Sequence, residues 1–298
     1  MILSPKPVCL SPVVRNNLLY IKAPAKINWF LRILDKREDG YHNIVSLMQC
    51  VGLFDELTFD HSDSIIVEND MDIPVSDDLV YKAASLLKQY ASYGKGARIK
   101  VKKRIPVGAG LGGGSSDAAW TMIGLNALWE TGVRHDEMSS IASALGSDIP
   151  FFFESAAALV EGRGDRVSSL DIKPSFALLL VNPNVRISTA WAYNAFDECR
   201  GHTLTKTPVD IKLFCQALQR QDFPSLSRLL SNDFEDIVMR EYPVVREIRQ
   251  RLIEIGADAA LMSGSGPTVF GVFRSVEGAK EASGAMKPNW CRVVKTLI

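Results

Sequence analysis

The sequence predicts a mixed α/β or α+β protein of one large or two moderate domains, and three observations carry that reading. A length of 298 residues with 47% hydrophobic content supplies ample apolar side chains for buried cores. Apolar runs rich in β-branched residues alternate with segments of helical period. These interleave irregularly rather than as repeated βαβ units, with no internal repeat or low-complexity tract, so a doubly wound sheet is not required.

Along the chain, the strand-like runs are LLYIKAPAKI, DELTF, SIIVE, ARIKVKKRI, AAALVEG, SFALLLV, TVFGVF and WCRVVKTLI. Helical patterns cover 77–91, 117–130, 136–145, 210–220 and 243–255. The stretch EGRGDR (Glu161–Arg166) reads as a glycine turn before the new run SFALLLV, which puts the domain division there. The expected units are an extension 1–19, an N-terminal domain 20–166 and a C-terminal domain 167–298. The opening MILSPKPVCLSPVVRNN has no acidic residue, but its prolines and broken apolar pattern read as an irregular terminus rather than a targeting segment. Arg163-Gly164-Asp165 spells an adhesion tripeptide and is read as part of the turn.

Composition narrows the function classes. Lys+Arg and Asp+Glu both number 34, so no global field draws the chain to nucleic acid or an anionic membrane. The best apolar run, FALLLV at 176–181, falls far short of the roughly 18 residues of a membrane span. Cys9, Cys50, Cys199, Cys215 and Cys291 lie far apart, with no CxxC pair. That pattern fits neither a disulfide framework nor a zinc knuckle, and a reducing cytoplasm is expected.

The most informative segment comes after the run ARIKVKKRI. Pro106 ends that run, and Val107, Gly108, Ala109, Gly110, Leu111, Gly112, Gly113, Gly114, Ser115 and Ser116 lead into a helical pattern. Glycines let backbone amides converge without Cβ obstruction, and the start of a helix aims unpaired N–H groups and its positive dipole end at the same space. Polyphosphate is the natural occupant. Ser115, Ser116 and Asp117 also suit helix N-caps ahead of an apolar stripe of Ala118, Ala119, Met122, Leu125, Leu128 and Trp129. Capping leaves five glycines unexplained.

Two other glycine motifs are set aside. GAGLGG at 108–113 matches G-x-G-x-x-G, but after Trp129 the chain gives TGVRHDEMSSIASALGSD, a turn and another helix, where a dinucleotide fold needs a strand ending in an acid. A Walker A loop needs Gly-Lys-Ser/Thr, and Gly114 runs directly into Ser115. The cradle is therefore expected to work mainly through backbone amides.

GLGGGSSDAA resembles the phosphate loop of the GHMP kinases. APAKINWFLRILDKREDGYHNIVSLMQ (23–49) and ADAALMSGSGPTVFGVF (257–273) resemble that superfamily's first and third motifs, in the expected order, so the resemblance brackets nearly the whole chain. It implies ATP with Mg2+ and a two-domain α+β fold. The N-terminal domain would resemble the second domain of ribosomal protein S5, and the C-terminal one would be ferredoxin-like. PAKIN with DGYH and GSDIPFFF implies a particular acceptor, a cytidine-diphosphate-linked methylerythritol of the non-mevalonate isoprenoid route, phosphorylated on its 2-hydroxyl. The partner would be this small molecule, with no nucleic acid and no membrane, and the chain a monomer or weak homodimer.

The resemblance assigns roles residue by residue. Asp148, in GSDIPFF, stands at the family's catalytic aspartate, and Lys26 would pair with it and polarise the acceptor hydroxyl; out of context the first is an ordinary turn aspartate and the second a solvated lysine. Asn28 shares the strand face of Lys26 and can bond substrate. Tyr41 and His42 come just after the turn signal Asp39-Gly40 and would stack on and read a cytosine from a loop rim. Tyr193 is preferred over nearby Trp191 as a second stacking ring. Gly264 and Ser265, in an otherwise ordinary glycine hairpin, would contact substrate phosphate. Ser116 is the candidate magnesium ligand and Glu161 a weaker one, with water and ATP supplying the rest. Asp117 stands where asparagine is common, and its charge is expected to turn away from phosphate. The alternatives are a GHMP kinase for homoserine or mevalonate, which DGYH and Tyr193 oppose, and a non-catalytic nucleotide-binding regulator, which the retained Lys26, Asp148 and phosphate loop oppose.

Overall fold

A computed structural model of the chain describes residues 12–70, 73–200 and 209–298, so most of the expected extension, and Cys9, lie outside the described residues. The first half is organised by two very long antiparallel strands, β1 being the short Val13–Arg15, β2 Leu18–Lys36 and β3 His42–Ser62. Around them an eight-stranded sheet adds β4 (Ile66–Glu68), β5 (Gly96–Lys102), β6 (Ala157–Gly162), β7 (Arg166–Ser169) and the two-residue β9 (Ser231–Asn232). The second sheet has four antiparallel strands in the order β10 (Ala259–Met262), β11 (Val269–Phe273), β8 (Ala177–Asn182), β12 (Trp290–Lys295). Helices α8 (Pro243–Glu254) and α9 (Val276–Ala285) pack on it.

The pairing of β2 with β3 shifts register between Pro24 and Ala25 and again between Asn28 and Phe30. These irregularities bracket Ala25–Asn28, the segment that carries two of the expected site residues. Bulges re-aim side chains and commonly sit beside active sites. Both faces of this segment are covered, so Lys26 and Asn28 are as buried as Ile27 and Trp29.

Helix α2 (Gly113–Trp129) starts four residues before the expected 117, and its N-cap is Gly112 in the left-handed conformation, with no side-chain cap. Ser115, Ser116 and Asp117 are therefore inside the first turn and are not N-caps. The apolar stripe is also wider than expected: α2 is buried nearly all round, because it lies between the sheet, helix α1 (Leu79–Tyr90) and helix α3 (His135–Ala142). Elsewhere the helical patterns hold to within a few residues, and Asp78 caps α1 and Asp210 caps α5 (Ile211–Arg220) through their carboxylates. Missing from the sequence reading are α4 (Thr189–Arg200), α6 (Phe223–Leu229), α7 (Glu235–Glu241) and α9. The first, TAWAYNAFDECR, stands out in sequence only for its aromatic rings, the next two are short, and α9 contains Gly278 and Gly284 and buries only Ala279 and Ala282.

The EGRGDR stretch is a hairpin rather than an interdomain linker. It joins β6 to β7 with Glu161 opposite Arg166, and Gly162 and Gly164 take positive φ of 67° and 109° in the turn. A division at 166/167 falls inside β7. The chain leaves the large sheet only after Ser169, and β9 later returns to pair with β2.

Two apolar clusters of the described residues join the sheets, and the one around Trp29 lies beneath Lys26 and Asn28. Ala25, Ile27, Trp29, Leu47 and Val51 of the long strands pack with Leu178, Leu180, Phe270 and Val272 of the second sheet. Trp29 is its wedge, edge-on to Phe176 at 5.3 Å and to Phe270 at 5.7 Å, and its bulk fills the seam between the lobes. Trp29→Ala should lower stability by about 3–5 kcal/mol, read as a urea midpoint. Trp29→Phe should cost far less, since the Trp29 Nε1 is buried without a partner among the described residues.

Candidate active site

The bracketed β2 segment, the glycine loop, the 148–153 turn and the 263–268 loop converge on one cleft of about 850 Å3. Lys26 lies on its floor. Its backbone N–H donates to Leu111 O at 2.9 Å, tying the strand to the glycine loop. Its Nζ donates to Asn28 Oδ1 at 2.7 Å and lies 3.4 Å from Asp148 Oδ2. Asn28 in turn donates to Ser46 Oγ, which donates to Phe30 O, so the lysine is held by a buried chain of hydrogen bonds.

Asp148 is positioned by its C-terminal neighbours. Pro150–Phe153 form one 3₁₀ turn in which all four residues are buried, and these apolar anchors present the carboxylate, about one-third exposed, to the cleft. Phe152 and Lys26 together close over Gly112, where an added Cβ would lie 2.9 Å from Lys26 Cγ and 3.2 Å from Phe152 Cζ.

Gly108, Gly110 and Gly112 all have positive φ, 64°, 75° and 68°, and the loop ends at the open N-terminus of α2. Those amides and the helix dipole face the cleft beside Ser115. The second glycine loop packs backbone against backbone: Ser263 Oγ donates to Gly110 O at 2.9 Å and Thr268 N–H to Ala109 O at 3.3 Å. Gly264 and Ser265 line the same cleft, Ser265 Oγ lying 2.9 Å from Thr189 Oγ1. Of the expected phosphate-loop residues, Pro106–Gly110 and Gly112–Ser115 line the cleft, and Leu111 turns into the core.

Ser116 is displaced from its expected role. Its hydroxyl is buried, without a partner among the described residues, and only Ser115 of the pair reaches the cleft, because Ser116 sits on the inner side of the first turn of α2. No group of three His, Cys, Asp or Glu side chains among the described residues is arranged to hold an ion. Glu161 does not line the cleft.

Sequence reading missed a lysine at the phosphate loop. Lys103 lines the cleft next to Gly113, and its Nζ donates to Asp55 Oδ2 at 2.5 Å and Asp117 Oδ2 at 2.6 Å. Asp55 also accepts from Arg104 and Ile105 N–H, so this cluster anchors the entry to the loop. Asp117 accepts from Lys103 and itself lines the cleft. The only sequence signal was the basic run Lys102-Lys103-Arg104, separated from Pro106 by Ile105.

Burial pushes the Asp117 carboxyl up to about 7, Asp55 adding to the push and Lys103 opposing it. A carboxyl raised in the folded state keeps its proton while the unfolded chain has lost it. Stability from this group thus falls as pH rises from about 4 to about 7 and is level above. Asp117→Asn should flatten that part of the Tm-versus-pH curve. An unchanged slope would remove Asp117 as its source.

At the other end of the cleft, His42 is the first residue of β3 and buried, rather than on a loop rim, whereas Tyr41 is exposed with the Arg163 guanidinium 5.6 Å over its ring. Tyr193 of α4 stacks on His42 at 5.0 Å and 14°, and Phe234 meets Tyr193 edge-on at 4.9 Å. Burial, then the nearby Asp148 charge, pushes the Tyr193 hydroxyl well above the ordinary phenol range. Trp191 points elsewhere, packing edge-on to Tyr242.

Models of the GHMP kinases N terminal domain and of the GHMP kinases C terminal region match residues 78–155 and 214–292. A Thermodesulfovibrio yellowstonii protein named 4-diphosphocytidyl-2-C-methyl-D-erythritol kinase is 44% identical over 94% of this chain and 99% of its own. A crystal structure of 4-(cytidine 5'-diphospho)-2C-methyl-D-erythritol kinase superposes with a TM-score of 0.80 at 32% identity, covering 94% of this chain and 99% of that one. A homoserine kinase from Cytophaga hutchinsonii superposes at 0.71 but with 17% identity, over 97% of each chain, which shows the fold alone.

Proposed function

This chain belongs to the GHMP kinases, and from that premise we propose that it is an ATP-dependent small-molecule kinase that phosphorylates the 2-hydroxyl of 4-diphosphocytidyl-2-C-methyl-D-erythritol in the non-mevalonate isoprenoid route. The carrying observation is that Lys26 and Asp148, 3.4 Å apart, lie in one cleft between the glycine loop and the His42–Tyr193 stack. Donor phosphates suit one end of that cleft, and an aromatic base suits the other.

In this reading ATP supplies the phosphoryl group, its phosphates held by the amides of 108–115 and by Lys103. The acceptor hydroxyl lies between Lys26 and Asp148. Asp148 takes the hydroxyl proton as the oxygen attacks the γ-phosphorus and the bond to the β,γ-bridging oxygen breaks, that oxygen and its electron pair leaving on ADP, while Lys26 offsets charge gathering on the transferred group. Asn28 fixes Lys26 rather than reaching past it. Tyr41 and Tyr193 hold the cytosine, His42 reads its edge, and Gly264 and Ser265 face the diphosphate. Magnesium comes in on the ATP phosphates, completed by water, with no side chain of this chain assigned to it. Free thiols at Cys50, Cys199, Cys215 and Cys291 suit work in a reducing cytoplasm.

The test is ADP release with magnesium-ATP and a panel of acceptors. Turnover of 4-diphosphocytidyl-2-C-methyl-D-erythritol is expected, with that of mevalonate and homoserine at background. Turnover of only the latter two would sink the assignment.

A further inference from the structure

The stack that closes the acceptor end of the cleft is itself held by a carboxylate that no motif contains. Asp197 lies one turn beyond Tyr193 on α4, so the same helix face presents the ring that covers His42 and the acid that bonds it. Asp197 Oδ1 is 2.7 Å from His42 Nε2, and Asp197 Oδ2 accepts from Lys36 Nζ at 2.6 Å. Lys36 and His42 are cross-strand partners where β2 meets β3, so one carboxylate pins α4 to both strands at the mouth of the cleft. Burial pushes the Asp197 carboxyl up, but the hydrogen bonds from Lys36 and His42 and the charge of Lys36 outweigh it and hold it below the ordinary range, so it is an anion at neutral pH.

An anionic carboxylate can only accept, which requires the proton of a neutral His42 ring to sit on Nε2 and leaves Nδ1 with a bare lone pair. A ring nitrogen that only accepts is matched by the exocyclic amine at position 4 of cytosine and opposed by the 4-carbonyl of uracil. His42 cannot swing to compensate, because Tyr193 stacks on one side and Phe196 meets it edge-on at 6.3 Å.

We propose that Asp197 is a positioning residue that fixes the His42 tautomer and so makes the acceptor site select a cytidine-linked over a uridine-linked diphosphate. This rests on the proposed reaction, and its test separates the two.

The near-isosteric Asp197→Asn keeps the size of the side chain but can turn its amide N–H toward Nε2 and permit the other tautomer. Wild type and variant are compared with the cytidine- and uridine-diphosphate-linked forms of the acceptor. The expected result is a fall of about tenfold or more in the cytidine-to-uridine ratio of kcat/KM, on the scale of one mismatched hydrogen bond. It should be carried by the acceptor KM with the ATP KM unchanged, and Asp197→Glu should restore part of it. A purely structural role would lower both activities alike, and an unchanged ratio overturns the inference. Independently of turnover, nitrogen NMR of the wild-type His42 ring at pH 8 should show a proton on Nε2 alone. A proton on Nδ1 would overturn it too. If the wild type does not turn over the cytidine-linked acceptor at all, the proposed reaction fails, and the inference falls with it.

Discussion

Asp148→Asn is expected to lower kcat by about two to four orders of magnitude while leaving the KM for ATP within about twofold. The carboxylate stands 3.4 Å from Lys26 Nζ, and both line the cleft with the glycine loop, so the amide keeps the shape and can still bond the lysine. It loses the ability to take a proton as the acceptor oxygen attacks. The glycine-loop amides are untouched, which is why donor binding should survive. Steady-state ADP release with ATP and acceptor varied separately makes the distinction, and a kcat near wild type would remove Asp148 from the base role. Lys26→Met should be comparably severe, with a structural component as well. It would leave Asn28 Oδ1 and the nearby acid without their cation on a buried floor.

Gly110→Ala should be the most damaging single methyl in the chain's phosphate loop. A Cβ there would lie 2.1 Å from Ser263 O and 3.0 Å from Gly266 O, and the residue's φ of 75° is one that L side chains resist. The obstruction is backbone, so no side chain can swing aside. Left-handed strain of about 1–2 kcal/mol and overpacking of about 1–3 kcal/mol act together, and a loss of about 2–5 kcal/mol is expected. The ATP KM should rise at least tenfold as the two glycine loops part. Gly108→Ala is the comparison: its φ is 64°, but nothing lies within 4 Å of the added carbon, so only the backbone component remains. Equal Tm losses in the two variants would show that the packing of the loops contributes little.

What could be read from the sequence was what is local. Five glycines in seven positions, a lysine in an apolar run and an aspartate before Pro150 and three phenylalanines are each compact patterns, and the structure gathers them in one cleft. What could not be read depends on partners far along the chain. Asp55 is an ordinary strand acid until Lys103 and the 104–105 amides close on it. Asp197 belongs to no motif and shows its role only where Lys36 of β2 and His42 of β3 meet it. Asn232 shows no motif, yet its Nδ2 donates to both Met262 O and Gly264 O and shapes the second glycine loop. EGRGDR could not be recognised as a hairpin because a hairpin and a linker share the same glycine-rich composition, and only strand register tells them apart.

The apolar seam around Trp29 bears on more than architecture. Because Ile27 and Trp29 alternate with Lys26 and Asn28 along β2 and root in the core shared with the second sheet, the floor of the cleft is part of the element that joins the lobes. Lys26 cannot drift from the lobe interface without opening that seam. Its alignment is therefore set when the chain folds and is already present before either substrate arrives, so little binding energy need be diverted to assembling it. A cleft so founded behaves less like a hinge that shuts on its contents than like a fixed jig into which they are laid.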